Sequence, residues 1–336
     1  MRAWPPAVIG GATALAIFVG AMVGGVAGSS SASWAVGVAA GAATSLGIFG
    51  VATGRYRRRR RIVRGPFPEA WRAIVAGRMP WVAGLPEGLR RRFEDDVRIF
   101  LAEQRIVGAK GVIVDEATRV LIAASAARMT LGMPGFEWPT IRDIVVHPRS
   151  FDREYKASEE ATIAGMVHAQ GPILLSLRDL RQGLRRPADG HDVVLHELAH
   201  VIDLADGQAD GVPAGAEWVA SAPWGKVVAD RLRKVRARRY RHVLRDYAGT
   251  DEAELFAVAV EVFFEQPGRL RARDGELYAM LVDYFGQDPE ALMAGAAGAL
   301  RGRAQGLPRG RRESRGGSRG ERGSGSDERE GGGDGG

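Results

Sequence analysis

The chain has 336 residues, of which 45% are hydrophobic and none is cysteine. That length is enough for one large or two modest domains with a real core, and the missing cysteines exclude disulfides, cysteine-ligated zinc and thiol catalysis. The formal net charge is +7, and residues 55–64 alone contain seven arginines, so the remainder of the chain is close to neutral.

The N-terminal part contains no charged residue between Arg2 and Arg55. Two apolar runs, residues 8–27 and 34–53, are each about 20 residues long, which lets a helix cross the hydrocarbon core of a bilayer. We therefore predict a transmembrane helical hairpin over residues 1–54. Both runs carry G-x-x-x-G spacings, which allow two helices to approach closely: Gly20/Gly24, Gly24/Gly28 and Gly37/Gly41.

The arginine-rich residues 55–65 are predicted to form a basic juxtamembrane segment. Arginine beside a membrane helix marks its cytoplasmic side, and such a run binds anionic headgroups. We therefore expect a protein of a bacterial inner (plasma) membrane with a cytoplasmic catalytic domain and no nucleic-acid partner. An alternative is a signal peptide cleaved near residues 31–33, with the second run as a single anchor. Both interpretations keep the part after residue 55 in the cytoplasm.

The segments after the basic run predict one α+β domain over residues 66–300. Helices are predicted at residues 68–76, 86–104, 116–129, 226–241, 251–265 and 275–285. Short apolar or β-branched runs predict strands of a small mixed sheet at residues 111–114, 141–147, 162–169 and 172–176. Pro172 cannot donate a backbone hydrogen bond, so the last strand is predicted to lie at a sheet edge. Residues 301–336, rich in Gly, Arg, Ser and Glu, are predicted to be a disordered tail.

The strongest chemical signal is the H-E-x-x-H spacing of His196, Glu197 and His200 in an apolar segment. We predict that this segment is a helix with Asp192 as its N-cap, ending by Gly207. Residues four apart share a helix face, so both histidines can bind one ion while Glu197 reaches a water on its open side. The pattern predicts a hydrolase with one Zn²⁺ per chain. The alternative is a buried helix with two structural histidines.

Catalytic zinc sites use three protein ligands, so a third is needed. Glu254 and Glu261 are both good candidates, because they lie seven residues apart on one face of the helix predicted at 251–265. Glu254 has an alternative role, since Asp251 and Glu254 together resemble a capping box. Spacing alone leaves the two glutamates undecided.

Further stretches follow one another in a characteristic order along the chain. In one-letter code they are GPILL (171–175), HELAHVID (196–203), DGQADGVP (206–213), DYA (246–248), AELFAV (253–258) and EVFF (261–264). Together they resemble the zinc-dependent, gluzincin-like peptidases of the Mlc titration factor A type, over about residues 68–290. The resemblance implies a zincin-like metallopeptidase fold and an activity similar to that of aminopeptidases.

Position by position, the resemblance implies that His196, His200 and Glu254 bind zinc and that Glu197 is the catalytic acid/base. Glu261 then supports a ligand or faces the core. The family's usual Pro-Ala-Glu is Glu-Ala-Glu at residues 252–254 here, and a non-Pro residue fits the first helical turn equally well. The hairpin and the tail lie outside the family's common core, so its known partner, the repressor Mlc, is not carried over.

Several residues near the motif are candidates for supporting roles. A tetrahedral oxyanion needs a second donor, and Tyr247 is the best candidate, with an ordinary half-buried tyrosine as the alternative. His242 is the next candidate. Asp203 could accept the N–H of a ligand histidine, or could simply face water. Three other histidines have no metal spacing and are predicted to be structural or on the surface: His147, His168 and His191.

The leading functional prediction is a membrane-anchored zinc peptidase, aminopeptidase-like on short peptides, with the substrate extended along residues 173–176. The alternative is a regulatory protein with a mainly structural zinc site, whose basic stretch at residues 231–245 docks a transcription factor or another partner. An intramembrane protease is not expected, because the hairpin has no ionisable group and His196 lies far downstream.

Overall fold

The computed structural model describes residues 6–30, 34–138, 143–149, 165–167, 172–185, 188–216, 223–240 and 243–306. The helices of these ranges are α1 (Pro6–Ser30), α2 (Trp34–Ile62), α3 (Glu69–Arg78), α4 (Glu87–Glu103), α5 (Glu116–Met129), α6 (Leu177–Arg185), α7 (Val193–Asp203), α8 (Trp224–Arg236), α9 (Glu252–Glu265), α10 (Pro267–Arg273), α11 (Gly275–Phe285) and α12 (Pro289–Gly306). The strands are β1 (Ile106–Gly108), β2 (Ile144–His147), β3 (Gly165–Val167) and β4 (Ile173–Ser176). The described chain is therefore mostly helical, with one small sheet.

α1 and α2 pack against each other through glycine, as the G-x-x-x-G spacings predict. A Cβ atom added to Gly37 would lie 2.5 Å from the carbonyl oxygen of Gly24, and one added to Gly41 would lie 2.5 Å from that of Gly20. Larger residues cannot occupy these positions at this helix separation. Both helices are long and apolar enough to cross a membrane. The predicted close approach of the two helices is confirmed.

α2 continues through most of the basic run and ends at Ile62. Arg59 is fully buried. Its guanidinium donates to Glu103 at 2.6 and 2.7 Å and to Glu137 at 2.7 and 2.8 Å. Arg55 also donates to Glu103. The prediction that the whole run lies on lipid headgroups is therefore wrong for Arg59, because two carboxylates of the following domain bind it.

The sheet is mixed, as predicted, with strand order β1-β2-β4-β3. β1, β2 and β4 are parallel, and β3 is antiparallel to β4. β4 therefore has a neighbour on each side, and the prediction that residues 172–176 form an edge strand is wrong. Pro172 lies just before the first strand residue, and Ile173 N–H donates to Asp143 O at 2.9 Å, so the missing donor of Pro172 interrupts no ladder.

The predicted strand at residues 111–114 is also wrong, since the strand lies earlier, at Ile106–Gly108. A turn follows it, in which Lys110 (φ 50°) and Gly111 (φ 80°) adopt left-handed backbone conformations. Val112 N–H donates to Ala109 O and closes this turn. The β-branched residues 112–114 leave the strand path because of the turn.

α9 is the central helix of the core. All of its residues from Leu255 to Glu265 are buried. It packs against α7, α8, α10 and α11; Phe263 stacks on Phe285 of α11, and Phe264 meets the same ring edge to face. Because α9 is enclosed, its rotation is fixed, and its acidic residues face α7 at defined positions.

At the C-terminal end, α12 extends to Gly306, six residues into the segment predicted to be disordered. Residues 307–336 lie outside the described ranges.

Candidate metal centre

The motif helix α7 begins where the sequence predicts. The Asp192 side chain accepts hydrogen bonds from Val194 N–H at 2.9 Å and Leu195 N–H at 3.1 Å, which caps the first turn. The helix packs against α5, α9 and the sheet, so His196 and Glu197 are only 7% and 2% exposed. The two side chains are therefore held in fixed positions by a capped, buried helix.

α9 brings Glu254 to the two histidines of α7. His196 Nε2 lies 3.3 Å from His200 Nε2 and 3.0 Å from Glu254 Oε2, and His200 Nε2 lies 3.7 Å from that same oxygen. Two ligands held about 2.0 Å from a tetrahedral Zn²⁺ are about 3.3 Å apart. The three distances therefore fit one zinc ion, which His196, His200 and Glu254 would hold, and three protein ligands are the number that catalytic zinc sites use.

Glu261 lies on the other side of the same imidazole. Its Oε1 is 2.7 Å from His196 Nδ1, and its Oε2 accepts from Asp192 N–H at 2.9 Å. A carboxylate can only accept, so Nδ1 carries the proton and Nε2 has the lone pair that a metal requires. The two glutamates that spacing left undecided thus contact different nitrogens of His196, with Glu254 at Nε2 and Glu261 at Nδ1.

The Nε2 side of this cluster needs a cation or a proton. The two Nε2 atoms and the carboxylate of Glu254 face one another, with Glu254 Oε2 3.0 Å from His196 Nε2 and 3.7 Å from His200 Nε2. Burial lowers the pKa of His196, but the carboxylates of Glu261 and Glu254 have a larger, opposite effect and raise this pKa to about 10. Burial likewise raises the pKa of Glu254, yet hydrogen bonds from His196 and His200 hold it well below its usual range. Without a metal, a proton on His196 balances the carboxylates.

Glu197 lies beside the ligand cluster without joining it. Burial raises the pKa of Glu197 to about 7, against the opposing effect of His196 and His200. Its Oε2 is buried and has no hydrogen-bond partner among the described residues. A carboxyl group with a pKa near neutrality can both take up and release a proton at working pH, which general acid/base chemistry requires.

Tyr247 lies at the edge of the cluster, in the single turn Asp246–Gly249 before α9. Its hydroxyl donates to Glu254 Oε1 at 3.0 Å, and its ring centroid is 6.0 Å from that of His196. Burial and the nearby carboxylates raise the pKa of the phenol, so it stays protonated as a donor at neutral pH. The side chain is 46% exposed, which leaves its edge open to the cleft.

Two residues of the site carry no spacing signal in the sequence. Arg245 donates to Glu261 at 2.5 and 3.1 Å, lies over the Tyr247 ring, and contacts His191 Nδ1 at 3.0 Å. His191 is exposed, in agreement with the sequence prediction of a structural or surface residue, and it also lines the cleft beside His196. Both come from irregular segments, whose conformation the H-E-x-x-H pattern does not specify.

The remaining candidates lie elsewhere. Asp203 is buried and accepts from Gly211 N–H at 3.2 Å, and no hydrogen bond between it and His200 occurs in the described ranges. It therefore anchors the loop after α7, and burial raises its pKa to about 6. His147 ends strand β2. His242 and His168 lie outside the described residues.

A cleft of about 330 Å³ opens next to the cluster. Its lining includes Glu197, Tyr247 and His191, together with polar residues of α6 and of the loop before α7: Asp179, Gln182 and Asp189. This volume is at the lower end of small-molecule pockets. A peptide side chain or a chain terminus fits such a space.

Known proteins resemble this chain over most of the domain. The sequence model of a family described as "Glucose-regulated metallo-peptidase M90" matches residues 53–286. The "Uncharacterized protein slr2042" of Synechocystis sp. is 29% identical over 244 residues, which cover 69% of this chain and 89% of that protein. Mlc titration factor A of Cronobacter sakazakii is 28% identical over 245 residues, covering 66% and 87%. Mlc titration factor A of Salmonella arizonae is 29% identical over 213 residues, covering 56% and 80%.

Proposed function

Since the chain belongs to the glucose-regulated metallo-peptidase family M90, we propose that it is a membrane-anchored zinc peptidase with a zincin-like fold. In this proposal His196, His200 and Glu254 bind one Zn²⁺, and Glu197 is the general base and acid. The observation that carries it is the convergence of the three ligand atoms within 4.8 Å of one another beside the buried carboxylate of Glu197.

The chemistry follows from the groups around the cluster. Bound zinc would lower the pKa of a water molecule and polarise the peptide carbonyl. Glu197 takes the proton of the attacking water on its carboxylate and passes it to the leaving amine. Tyr247, which remains protonated, turns its hydroxyl from Glu254 Oε1 and donates to the oxygen that gains negative charge in the transition state. Arg245 and Glu261 hold the ring of His196 while this happens.

The substrate is proposed to lie along β3 instead of β4. β3 lies at one end of the sheet order, so one of its edges has no neighbour among the described strands, and it packs against α7. An extended peptide can add to such an edge through main-chain hydrogen bonds. The small volume of the cleft suits a short peptide, which favours the aminopeptidase-like activity.

The proposed location in a membrane depends on the hairpin of α1 and α2. Large apolar side chains of α1 and α2 are exposed, among them Phe18 at 64% and Leu46 at 72%, and lipid is the solvent in which such faces are stable. The arginines at the end of α2 favour a cytoplasmic location for the peptidase domain. We therefore propose a bacterial inner membrane protein that cleaves peptides in the cytoplasm.

A regulatory role is the second candidate, favoured by the name of the relatives called Mlc titration factor A. The basic stretch proposed to dock a partner is partly engaged inside the molecule. Arg231 pairs with Asp274 and Glu276, and Arg245 pairs with Glu261. A protein partner would therefore meet the other basic residues of that stretch, among them the exposed Arg233, Lys234 and Arg236.

The proposal is tested on the full chain in lipid nanodiscs, as wild type, as Glu197→Gln and as the matched control Glu252→Gln, an exposed glutamate on α9. All three proteins should bind about one zinc per chain, measured by metal analysis. Wild type and the control should cleave members of a peptide library, and Glu197→Gln should be about 10³-fold slower. Zinc-loaded wild type without any cleavage would instead support the regulatory role.

A further inference from the structure

His191 lines the cleft that contains Glu197 and Tyr247, and its side chain is exposed. It directly precedes Asp192, the cap of the motif helix. Its N–H donates to Asp189 Oδ1 at 2.9 Å, and the preceding Gly190 adopts a left-handed conformation (φ 84°). The imidazole thus follows a hydrogen-bonded turn at the wall of the cleft.

Arg245 determines which nitrogen of this ring carries the proton. Arg245 Nη1 lies 3.0 Å from His191 Nδ1. A guanidinium has only donors, so Nδ1 must accept, and the ring proton lies on Nε2. The arginine is itself held in place by Glu261, by the ring of Tyr247 and by Gly190 O at 3.4 Å. The tautomer of His191 is therefore set by groups of the metal site.

The Nε2–H of His191 is then a donor in a cleft that is also lined by four carboxylates, those of Asp179, Asp189, Glu197 and Glu261. The hydroxyl of Tyr247 already donates to Glu254 Oε1, whereas among the described contacts His191 touches no metal-ligating residue. A peptide main chain offers a carbonyl oxygen at every residue, and these oxygens are what an N–H donor recognises.

We propose that His191 binds the peptide substrate by donating from Nε2 to a main-chain carbonyl away from the reacting atoms, and that Arg245 is the residue that positions it. The inference rests on the proposed peptidase function and adds a recognition residue to it. A group that contacts the ground state and the transition state equally changes KM and leaves kcat nearly constant. His191 therefore increases the affinity for the substrate and does not take part in the chemical step.

The test compares His191→Phe with His191→Gln in the full chain, using one peptide that the wild type cleaves. Phenylalanine keeps a ring but removes the donor, so KM should rise about tenfold, the value of one lost hydrogen bond. Glutamine keeps an amide N–H near the position of Nε2, so its KM should stay within about threefold of wild type. In both variants kcat should change less than about threefold, and the zinc dissociation constant should be unchanged.

Combining His191→Phe with Arg245→Gln separates positioning from metal support. Arg245→Gln should raise KM and, because Arg245 also holds Glu261, should weaken zinc binding as well. At saturating zinc, His191→Phe should add little to KM in that background, because the effect of both residues on KM passes through their mutual contact. Equal KM values for His191→Phe and wild type would overturn the inference, as would a parallel loss of zinc affinity in His191→Phe. A zinc-loaded wild type that cleaves no peptide would remove the proposed function itself, which is a different result.

Discussion

Two helix pairs in this protein pack in opposite ways. α1 and α2 meet through glycine, and a Cβ atom on Gly24 would lie 2.8 Å from the carbonyl oxygen of Gly37, while large apolar residues such as Val51 (85% exposed) face outward. α7 and α9 instead bury their apolar residues and meet through polar groups, with His196 between Glu254 and Glu261. The first pair suits a surrounding of lipid, and the second suits water outside and a cation inside.

The difference teaches which interactions each pair depends on. The hairpin has no titratable group between residues 3 and 54, so packing of backbone against backbone and apolar contact are its main stabilising interactions. The metal-site pair has a surplus of buried negative charge that a cation or a proton must balance. Perturbations of charge should therefore affect α7 and α9, and perturbations of volume should affect α1 and α2.

Removal of Glu254, the proposed third ligand, is expected to have the largest effect. Glu254→Gln keeps the shape of the side chain but replaces a charged oxygen donor by a neutral amide, so zinc affinity should fall about 10³-fold or more, roughly 4 kcal/mol. Peptide cleavage should fall with it. The measurement is a chelator competition on the full chain, with Glu252→Gln as the control on the same helix. A zinc affinity for Glu254→Gln equal to that of the control would reject Glu254 as a ligand.

Arg59→Gln is expected to have the next largest effect, at the junction of the two regions. Loss of this arginine leaves Glu103 and Glu137 without their buried partner, which typically costs about 3 kcal/mol. Burial raises the pKa of Glu103, but hydrogen bonds from Arg59 and Arg55 lower it to about 2, so its pKa should rise in the variant. Amide hydrogen exchange in residues 55–62 should become about 10²-fold faster.

Arg61→Gln is the matched control for that experiment, since Arg61 lies in the same run and is exposed. If the amides of both variants exchange at the wild-type rate, the ion pairs of Arg59 with Glu103 and Glu137 do not stabilise the end of α2. If both exchange faster, the arginine run acts through its total charge on the lipid surface instead.

Gly37→Leu tests the hairpin by volume. The added side chain meets the backbone of Gly24 and Gly28, and overpacking of this kind costs about 1–3 kcal/mol. Because the chain has no cysteine, Ala16→Cys and Ser45→Cys introduce the only thiols, at a place where Ser45 Oγ donates to Ala16 O at 2.9 Å. The disulfide yield of this pair should fall sharply in Gly37→Leu.

The control for the hairpin is Gly47→Leu, because a Cβ atom on Gly47 meets nothing within 4 Å. Its disulfide yield should equal that of the parent pair. Zinc affinity should be unchanged in both glycine variants, since they alter volume far from α7. A loss of zinc affinity in Gly37→Leu would mean that the two regions are coupled.

Local sequence predicts the part of the site that one helix supplies. The N-cap Asp192, the motif residues on α7 and the helix that bears Glu254 all follow from spacing, because the geometry of a helix is fixed. The choice between Glu254 and Glu261 depends on how α9 crosses α7, which spacing on one helix does not contain. His191 and Arg245 come from irregular segments 54 residues apart, and no periodicity encodes their contact.

The strand errors have the same origin. The presence of Pro172 predicts that the following strand is not central, but this rule applies only when the proline lies inside the ladder. In the structure the ladder begins one residue later, at Ile173. A boundary shift of one residue is below what composition resolves, yet it decides whether the strand is central or at an edge.

The smallest expected effect is the pH dependence of zinc binding, which separates the two regions without any mutation. In the metal-free protein, burial lowers the pKa of His196 but the carboxylates of Glu261 and Glu254 raise it to about 10, so between pH 6 and pH 8 the ring holds a proton that zinc must displace. Affinity should therefore rise about tenfold for each pH unit, about 1.4 kcal/mol, with release of about one proton. Chelator competition at pH 6, 7 and 8, with calorimetry in two buffers of different ionisation enthalpy, measures both quantities.

Glu261→Gln should flatten the slope of zinc affinity against pH, because among the groups that raise the pKa of His196 the carboxylate of Glu261 has the largest effect. The same variant should weaken zinc binding about 10- to 100-fold. The hairpin has no titratable group, so its packing should be constant over the same pH range. A slope of zinc affinity against pH that is the same in wild type and Glu261→Gln would show that His196 does not carry the displaced proton.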